Sequence, residues 1–271
     1  MPSKTLLCSK TKSRSLLILN PPKWFKDLAG AWIFYTILPS WPWLKPNFNQ
    51  IARFAPLLGL IVGALQSLLW ITLSKFGWPK ESLALITIAF GIWVTGGIHI
   101  DGLIDTSDGL GAGQEKCVEA MKDSRIGASG AISILLVILL QVASLIKLGN
   151  LSPFLLPIVN FWGRCSPFWA ISKFRYLHND VSSSFHKDNW EGWNDLKPSI
   201  FIMVILFAII KTIRIHPSIS RLIFLSIPIG IITSISIAQI IGNRLRGHSG
   251  DSYGASVVLT ETAILLTFAI I

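Results

Sequence analysis

The sequence predicts an all-α integral membrane protein, a polytopic bundle of about six or seven transmembrane helices. Hydrophobic residues make up 51% of the 271 residues and charged residues only 14%, whereas soluble domains carry about 25% charged residues. Three stretches contain no charge: 54–74, 126–146 and 222–243. Each holds about 20 residues, enough for a helix to cross a ~30 Å hydrocarbon core. The period-2 alternation of a membrane β-barrel is absent, so the spans are helices.

The order of apolar segments predicts one membrane domain, residues 24–271, behind a basic N-terminal tail, residues 1–23. Three prolines in 24–46 favour an interfacial or re-entrant helix that ends near Leu38. A short apolar run, 198–210, is the least secure span. The other predicted spans are Phe54–Lys75, Leu83–Ile98, Ile126–Ile146, Leu151–Ser172, Leu222–Asn243 and Gly254–Ile271.

The basic tail predicts an N-terminus on the cytoplasmic side. If 198–210 crosses the bilayer, the polar segments 99–125, 173–197 and 244–253 all share that side. Lys211, Arg214 and Arg221 would then lie outside, against the usual charge bias; these are the observations that oppose this topology. Because basic residues flank the spans, the net charge of +10 indicates a lipid bilayer rather than a nucleic acid as partner.

The most informative segment runs from Gly96 to Gly130 and holds six of the fourteen acidic residues. Asp101, Asp105 and Asp108 are spaced i, i+4, i+7, which places them on one face of a helix. Three like charges near a bilayer are costly unless a cation neutralises them. Oxygen-only ligands favour Mg²⁺ or Mn²⁺. The alternative is a solvated acidic loop or carboxylates that cap helix ends.

Two basic residues, Lys122 and Arg125, follow the aspartates in the sequence KDSR. A pair of cations beside a carboxylate–metal cluster is typical of a diphosphate site, because the metal and the cations share the phosphate charge. The alternative is that both residues merely flank the next membrane span.

Further polar residues lie within or between the later spans. Arg164 falls in an apolar span and could contact a substrate phosphate or pair with an acid. Asp251 could complete the site or only cap the last helix, and Glu261 within that helix requires a partner. His99 and His248 could be acid–base groups or structural residues.

The stretches GGIHIDGLIDTSDGLGAG and AMKDSRIGASG resemble the signature of the cobalamin-5′-phosphate synthase, or adenosylcobinamide-GDP ribazoletransferase, family. FYTILPSWP, RFAPLLGLIVGAL and HSGDSYGA, followed by Glu261, fit the same pattern. The resemblance covers the chain from about residue 31. It implies a Mg²⁺-dependent enzyme that joins adenosylcobinamide-GDP to α-ribazole or its 5′-phosphate. GMP leaves, and adenosylcobalamin or its 5′-phosphate forms in the last assembly step of the nucleotide loop.

On this resemblance we expect Asp101, Asp105 and Asp108 to hold Mg²⁺ on the diphosphate. Asp123 or one of those three aspartates would take the proton of the ribose hydroxyl. The residues expected to contact substrate are His99, Lys122, Arg125, Arg164 and Asp251, with Asp251 and His248 closing the site from the C-terminal side.

Two other membrane transferases use carboxylates at similar intervals, the CDP-alcohol phosphotransferases and the aromatic prenyltransferases. The former have a DG–AR–G–D–D arrangement, and no Ala-Arg follows Asp101-Gly102 at the right distance. A transporter would explain Arg164 and Glu261 within spans, but no inverted repeat is visible. The expected location is the bacterial inner membrane with a cytoplasmic active site. A homo-oligomer and a complex with other cobalamin-assembly enzymes both fit the sequence.

Overall fold

The computed structural model describes residues 21–177, 185–212 and 217–271. The first 20 residues of the tail predicted at 1–23 lie outside these ranges, as does Arg214. Short 3₁₀ turns precede α2, α7 and α9, and a parallel bridge joins Tyr176 to His248. The helices are α1 (Lys23–Tyr35), α2 (Ala55–Lys75), α3 (Lys80–Val94), α4 (Ile98–Gly111), α5 (Cys117–Met121), α6 (Ala128–Leu148), α7 (Ser152–Lys173), α8 (Phe185–Asp188), α9 (Lys197–Thr212), α10 (Pro217–Leu245) and α11 (Gly250–Ile270).

Several helices are long and apolar enough to cross a membrane. Four continuous helical runs of the described chain meet this condition, 51–75, 128–173, 219–245 and 250–270, and the bent pair α3–α4 gives a fifth. Large apolar side chains such as Leu68, Leu135 and Ile232 are exposed on these helices, as expected for a surface that faces lipid rather than water. The prediction of an all-α polytopic membrane protein is therefore confirmed.

The run 128–173 contains two helices that point in opposite directions. Gln141 of α6 donates a hydrogen bond to Thr262 of α11, and Val137 and Val258, four residues earlier in each helix, share one apolar cluster, so α6 runs parallel to α11. Ser166 of α7 contacts Ser256, whereas the earlier residue Arg164 contacts the later residue Glu261, so α7 runs antiparallel. The chain reverses at 149–151, which matches the predicted third and fourth spans.

The main apolar core lies where α2, α7 and α11 meet. Its fully buried members include Leu155, Leu156 and Phe161 of α7 and Ile264 and Leu265 of α11. Most contacts of α2 are with α7, and α11 packs against α4, α6, α7 and α10. α11 is thus the central helix of the bundle. Residues near its N-terminus pack against α4 and α7.

The second predicted span, Leu83–Ile98, differs from the structure at its end. α3 stops at Val94, and Gly96 and Gly97 adopt φ values of +63° and +74°, a region that favours glycine. The chain bends by 91° before α4 begins. With 15 residues, α3 is ~22 Å long and too short to cross the hydrocarbon core alone. The pair is a broken span or a re-entrant loop.

Two further helices, α1 and α9, are shorter than the membrane-crossing runs. α1 has 13 residues and ends at Tyr35, three residues before the expected Leu38, which agrees with a helix that does not cross. α9 has 16 residues and is not among the membrane-crossing runs of the described chain. Whether 198–210 crosses, and the division into tail and single domain, remain predictions.

Candidate active site

The three aspartates of the central motif lie on one helix, as predicted. α4 carries Asp101, Asp105 and Asp108 on one face; Asp101 is exposed and the other two are half-buried. α4 packs closely on the N-terminus of α11, because a Cβ at Gly102 would lie 2.5 Å from the backbone oxygen of Asp251. This approach brings a fourth carboxylate to the cluster. The negative charges of Asp101, Asp251 and Asp108 all act on the carboxylate of Asp105.

Asp251 is not the N-cap of the last helix. Ser249 caps α11, since its Oγ accepts a hydrogen bond from the backbone N–H of Ser252 at 3.2 Å and its own N–H donates to Ser252 Oγ at 2.8 Å. This reciprocal capping box satisfies the helix end without a carboxylate. Of the two interpretations of Asp251, the structure therefore supports a place in the site.

Asp108 caps a helix, which was the alternative considered for the carboxylates of this segment. Its Oδ2 accepts a hydrogen bond from the N–H of Gly127 at 2.7 Å, and its Oδ1 accepts one from Gly130 at 2.8 Å. These donors belong to the first turn of α6, where a negative charge also interacts favourably with the helix dipole. Each oxygen accepts one hydrogen bond in this cap and keeps a further lone pair, so the predicted part of Asp108 in the metal site and in catalysis remains a prediction beside its capping role.

The remaining carboxylates fit a hard cation that is shared with substrate. No three His, Cys, Asp or Glu side chains of the described chain are close enough to form a metal cage on their own. Mg²⁺ in phosphate-transferring enzymes is usually held by one or two carboxylates, substrate phosphates and water. Asp101 and Asp105 carry oxygens of the required kind, and a bound cation would relieve their mutual repulsion.

A cavity of about 300 Å³ opens beside this cluster. Four predicted site residues line it: His99 and Asp101 from α4, Arg164 from α7 and Asp251 from α11. Each of the three predicted polar segments contributes to its wall, through Asp101, through the pair Tyr176 and His186, and through Gly250 and Asp251. Their convergence agrees with the prediction that these segments share one side of the membrane.

Aromatic side chains form much of the cavity wall. Phe34, Tyr35, Phe168, Tyr176, His186 and Tyr253 all line it. Their rings touch in a chain: Phe34 contacts Tyr35 at 4.9 Å and His186 at 5.7 Å between ring centroids, and His186 contacts Tyr253 at 5.9 Å. The polar cluster thus borders an apolar, ring-lined chamber.

Arg164 forms a buried ion pair. Its Nη1 donates to Glu261 Oε1 at 2.9 Å and to both the backbone and side-chain oxygens of Asn160 at 3.0 Å. Asn160 donates in turn to Gln66, which donates to the carbonyl of Thr87. Glu261 therefore has the partner that its position in a span requires, while Arg164 also reaches the cavity wall.

His248 lies behind the cavity wall rather than in it. It is 1% exposed, its Nδ1 is 2.5 Å from the Tyr253 hydroxyl, and its ring stacks on Tyr253. Burial lowers the pKa of His248 to about 4; the nearby Lys187 adds to this effect and the Phe174 carbonyl opposes it. In this arrangement the His248 ring supports the wall residue Tyr253 rather than lining the cavity, and a catalytic part for His248 remains a prediction.

The basic pair of the motif lies outside the cavity. Lys122 and Arg125 are exposed, and Arg125 Nη2 is 2.6 Å from Asp123 Oδ2. These hydrogen bonds lower the pKa of Asp123 to about 2, which makes it a weak proton acceptor. The chain continues from Arg125 to Gly127, the partner of Asp108, so the pair lies near the end of α4 that is remote from the cavity. Contact of Lys122 and Arg125 with phosphate remains a prediction.

Sequence reasoning missed the aromatic wall. Tyr253 belongs to the quoted HSGDSYGA motif and Tyr35 to the quoted FYTILPSWP, so both could have been considered, but Phe168 and His186 carry no local signal. They come from separate segments that meet only in the folded bundle. A signal for them would require knowledge that α7 and α8 border one space.

Comparisons with known proteins decide the family. The family model described as cobalamin-5-phosphate synthase matches residues 27–269. The chain belongs to the cobalamin-5-phosphate synthase family. It is an enzyme, a transferase of cobalamin biosynthesis, and the membrane helices described above agree with this family.

Relatives across most of the chain support this assignment. An adenosylcobinamide-GDP ribazoletransferase of Prochlorococcus marinus strain MIT 9303 is 47% identical, covering 93% of this chain and 98% of the relative. One from another Prochlorococcus marinus strain is 48% identical with the same coverage. One from Trichormus variabilis is 33% identical over 94% of this chain and 98% of the relative. No solved structure matches the chain.

Proposed function

We propose that the chain is a Mg²⁺-dependent transferase that joins adenosylcobinamide-GDP to α-ribazole or α-ribazole 5′-phosphate. GMP leaves, and adenosylcobalamin or its 5′-phosphate is the product. The relatives carry this activity in their names. The observation that supports it in the structure is that Asp101 and Asp251 line one cavity and lie close enough to Asp105 for their charges to act on its carboxylate.

The transfer changes few bonds. A ribose hydroxyl oxygen of the acceptor forms a bond to the phosphorus next to cobinamide. The bond from that phosphorus to the bridging oxygen breaks, and GMP departs with this oxygen. The hydroxyl proton passes to a carboxylate. Charge increases on the leaving phosphate, so the reaction depends on cations placed around the diphosphate.

Asp101 and Asp105 are the residues that would hold the metal in this proposal. Mg²⁺ supplies positive charge that stabilises the diphosphate and the departing GMP. Asp251, brought alongside by the packing of α11 on Gly102, orients the water or substrate ligands of the same cation. Asp108 fixes the start of α6 and thereby the position of the loop that bears Lys122 and Arg125.

Asp105 is the proposed general base. It lies half-buried between Asp101 and Asp108 along α4. Asp108 accepts hydrogen bonds from the start of α6, and Asp123 accepts hydrogen bonds from Arg125. Among the described residues, Asp105 has neither kind of contact. Asp101 and Asp105 would hold the cation, and the Asp105 carboxylate would also accept the proton of the ribose hydroxyl. We also propose that the chain lies in the bacterial inner membrane, with the carboxylates of α4 facing the cytoplasm.

The test is a transfer assay on the purified full chain in nanodiscs. Adenosylcobinamide-GDP, α-ribazole 5′-phosphate and Mg²⁺ are supplied, and GMP and the cobalamin product are followed by chromatography. We expect product from the wild type, none in EDTA and at least a hundredfold lower rate for Asp105→Asn. Glu115→Gln, an exposed acid of the same segment, is the matched control and should keep full activity.

Two results would contradict the proposal. Normal turnover by Asp105→Asn at saturating Mg²⁺ would remove this residue from the site. If the wild type is folded but makes no cobalamin product, the proposed reaction is wrong. CDP-linked alcohols and prenyl diphosphates would then be tested as donors, followed by transport assays.

A further inference from the structure

The chamber beside the carboxylates has the features of a site for a flat aromatic group. Phe168 is 5% exposed, Tyr253 7% and Tyr35 9%, yet all three line the cavity. Their rings come from α7, α11 and α1, so they surround the space rather than form one face. Aromatic walls of this kind favour ligands that stack or pack edge to face.

The volume of the chamber indicates which part of the two substrates it can enclose. A volume of about 300 Å³ lies at the lower end of small-molecule pockets. A nucleoside base fits such a space. The corrin macrocycle, with its amide side chains and axial adenosyl group, does not.

Two side chains of the chamber wall also carry a polar atom without a partner. Nine buried side-chain atoms of the described residues have no hydrogen-bond partner, and two of them, Arg164 Nε and His99 Nε2, belong to residues that line the chamber. Both residues also line a smaller neighbouring pocket, and both atoms are shielded from solvent, so a ligand in the chamber would bond to them only after these side chains turn toward it. An arginine N–H is always a donor, so the ligand atom that met it would be an acceptor.

We infer that this chamber binds the base of the acceptor nucleoside. The inference rests on the proposed function. The base of α-ribazole is a benzimidazole, which is planar, bicyclic and apolar, with one unprotonated ring nitrogen as acceptor. The rings of Phe168 and Tyr253 pack against its faces or edges, and the ring nitrogen accepts a hydrogen bond from Arg164 or His99.

The position of the carboxylates agrees with this orientation. Asp101 and Asp251 line the same cavity as the aromatic rings. A base held in the chamber therefore leaves its ribose at these two residues, next to Asp105. The nucleophilic hydroxyl then lies at the proposed metal and base, while the donor diphosphate approaches from the exposed side of Asp101.

The test separates the affinities for the two substrates. Phe168→Leu keeps an apolar residue but removes the ring, and Phe168→Tyr restores it. We expect Phe168→Leu to raise KM for α-ribazole about tenfold and to leave KM for adenosylcobinamide-GDP within twofold. Phe168→Tyr should recover the wild-type value. Phe76→Leu, at an exposed position 77% accessible, is the matched control.

A binding measurement gives a second readout that does not need turnover. Quenching of tryptophan fluorescence reports α-ribazole binding, because Trp190 contacts Phe168 with ring centroids 5.5 Å apart. An indole riboside, in which C–H replaces the acceptor nitrogen, should bind about tenfold more weakly than the benzimidazole riboside.

The outcomes distinguish this inference from the proposed function. If the wild type forms product but Phe168→Leu raises only KM for adenosylcobinamide-GDP, the chamber holds the donor and the inference is overturned. If the two ribosides bind equally, Arg164 and His99 do not donate a hydrogen bond to the ring nitrogen of the base. If α-ribazole binds in a Phe168-dependent way but no cobalamin forms, the inference stands and the proposed function fails.

Discussion

Arg164 and Glu261 form an ion pair inside the bundle, with Nη1 and Oε1 2.9 Å apart. The side chains are 2% and 17% exposed, so both charges are removed from water. α7 and α11 run antiparallel, and this contact joins them at mid-length. Arg164 of this pair also lines the cavity. The residue that forms this buried pair is thus also one that we propose to contact substrate.

Removal of one partner should destabilise the protein strongly. Glu261→Gln leaves the arginine charge buried, and such changes cost about 3 kcal/mol or more. Thermal unfolding in detergent should show a large drop in the midpoint. Glu191→Gln is the matched control, since Glu191 pairs with Arg53 but is 50% exposed; an exposed pair contributes ~1 kcal/mol or less. If the two variants lower the unfolding midpoint equally, the buried pair contributes no more to stability than the exposed one.

Asp108 and Asp105 should respond differently to the loss of charge, although they share one helix face. Asp108→Ala removes both acceptors from the start of α6 and should cost about 1–2 kcal/mol of stability. The Mg²⁺ concentration for half-maximal rate should change little. Asp105→Ala should raise this Mg²⁺ requirement at least tenfold, with a smaller effect on unfolding. A Mg²⁺ titration and an unfolding curve for each variant check both statements. A large increase in the Mg²⁺ requirement of Asp108→Ala would return Asp108 to the metal site.

Much of this site could be predicted because its residues are close in the sequence. The i, i+4, i+7 spacing placed three aspartates on one helix, and α4 confirms this arrangement. The cap at Asp108 could not be predicted, because it depends on how α6 docks 19 and 22 residues later. Likewise, Arg164 and Glu261 were each recognised as costly in a span. Their pairing across 97 residues follows only from the antiparallel packing of α7 and α11.

The contribution of His186 and His248 to the stability of the fold should fall as the pH is lowered from about 6.5 to 4. Burial lowers the pKa values of His186 and His248 to about 4 from the usual 6.5. At these two side chains the unfolded chain binds more protons than the folded chain in this window, so their contribution to the free energy of unfolding decreases with falling pH. Burial raises the pKa of the Asp27 carboxyl, which acts in the opposite direction, so the test compares variants rather than the total change. The slope is at most ~1.4 kcal/mol per pH unit for each histidine. Unfolding midpoints measured across this window provide the test.

Single variants separate the two histidines. His248→Gln and His186→Gln should each remove part of the difference in stability between pH 6.5 and pH 4, and the double variant should remove more. The comparison uses the change with pH rather than the absolute stability, because either substitution also alters packing. An unchanged pH dependence in the double variant would show that carboxylates alone cause it.

The contact between Gly102 and Asp251 should control how the site assembles. A Cβ at Gly102 would lie 2.5 Å from the backbone oxygen of Asp251, and neither backbone can move without shifting α4 or α11. Gly102→Ala should therefore lower stability by about 1–3 kcal/mol, as overpacking does. It should also separate Asp101 from Asp251, so that the transfer rate falls and the Mg²⁺ requirement rises. Gly102→Ser should have a larger effect of the same kind.

The control for this effect lies on the same helix. Leu110→Ala changes a side chain that is 39% exposed at the far end of α4 and should leave the Mg²⁺ requirement unchanged. If Gly102→Ala lowers stability but keeps a normal Mg²⁺ titration, Asp251 acts independently of its distance from Asp101. A rise in the Mg²⁺ requirement that grows from alanine to serine would instead show that the approach of α11 to α4 sets the spacing of the carboxylates, because the larger side chain forces the two backbones further apart.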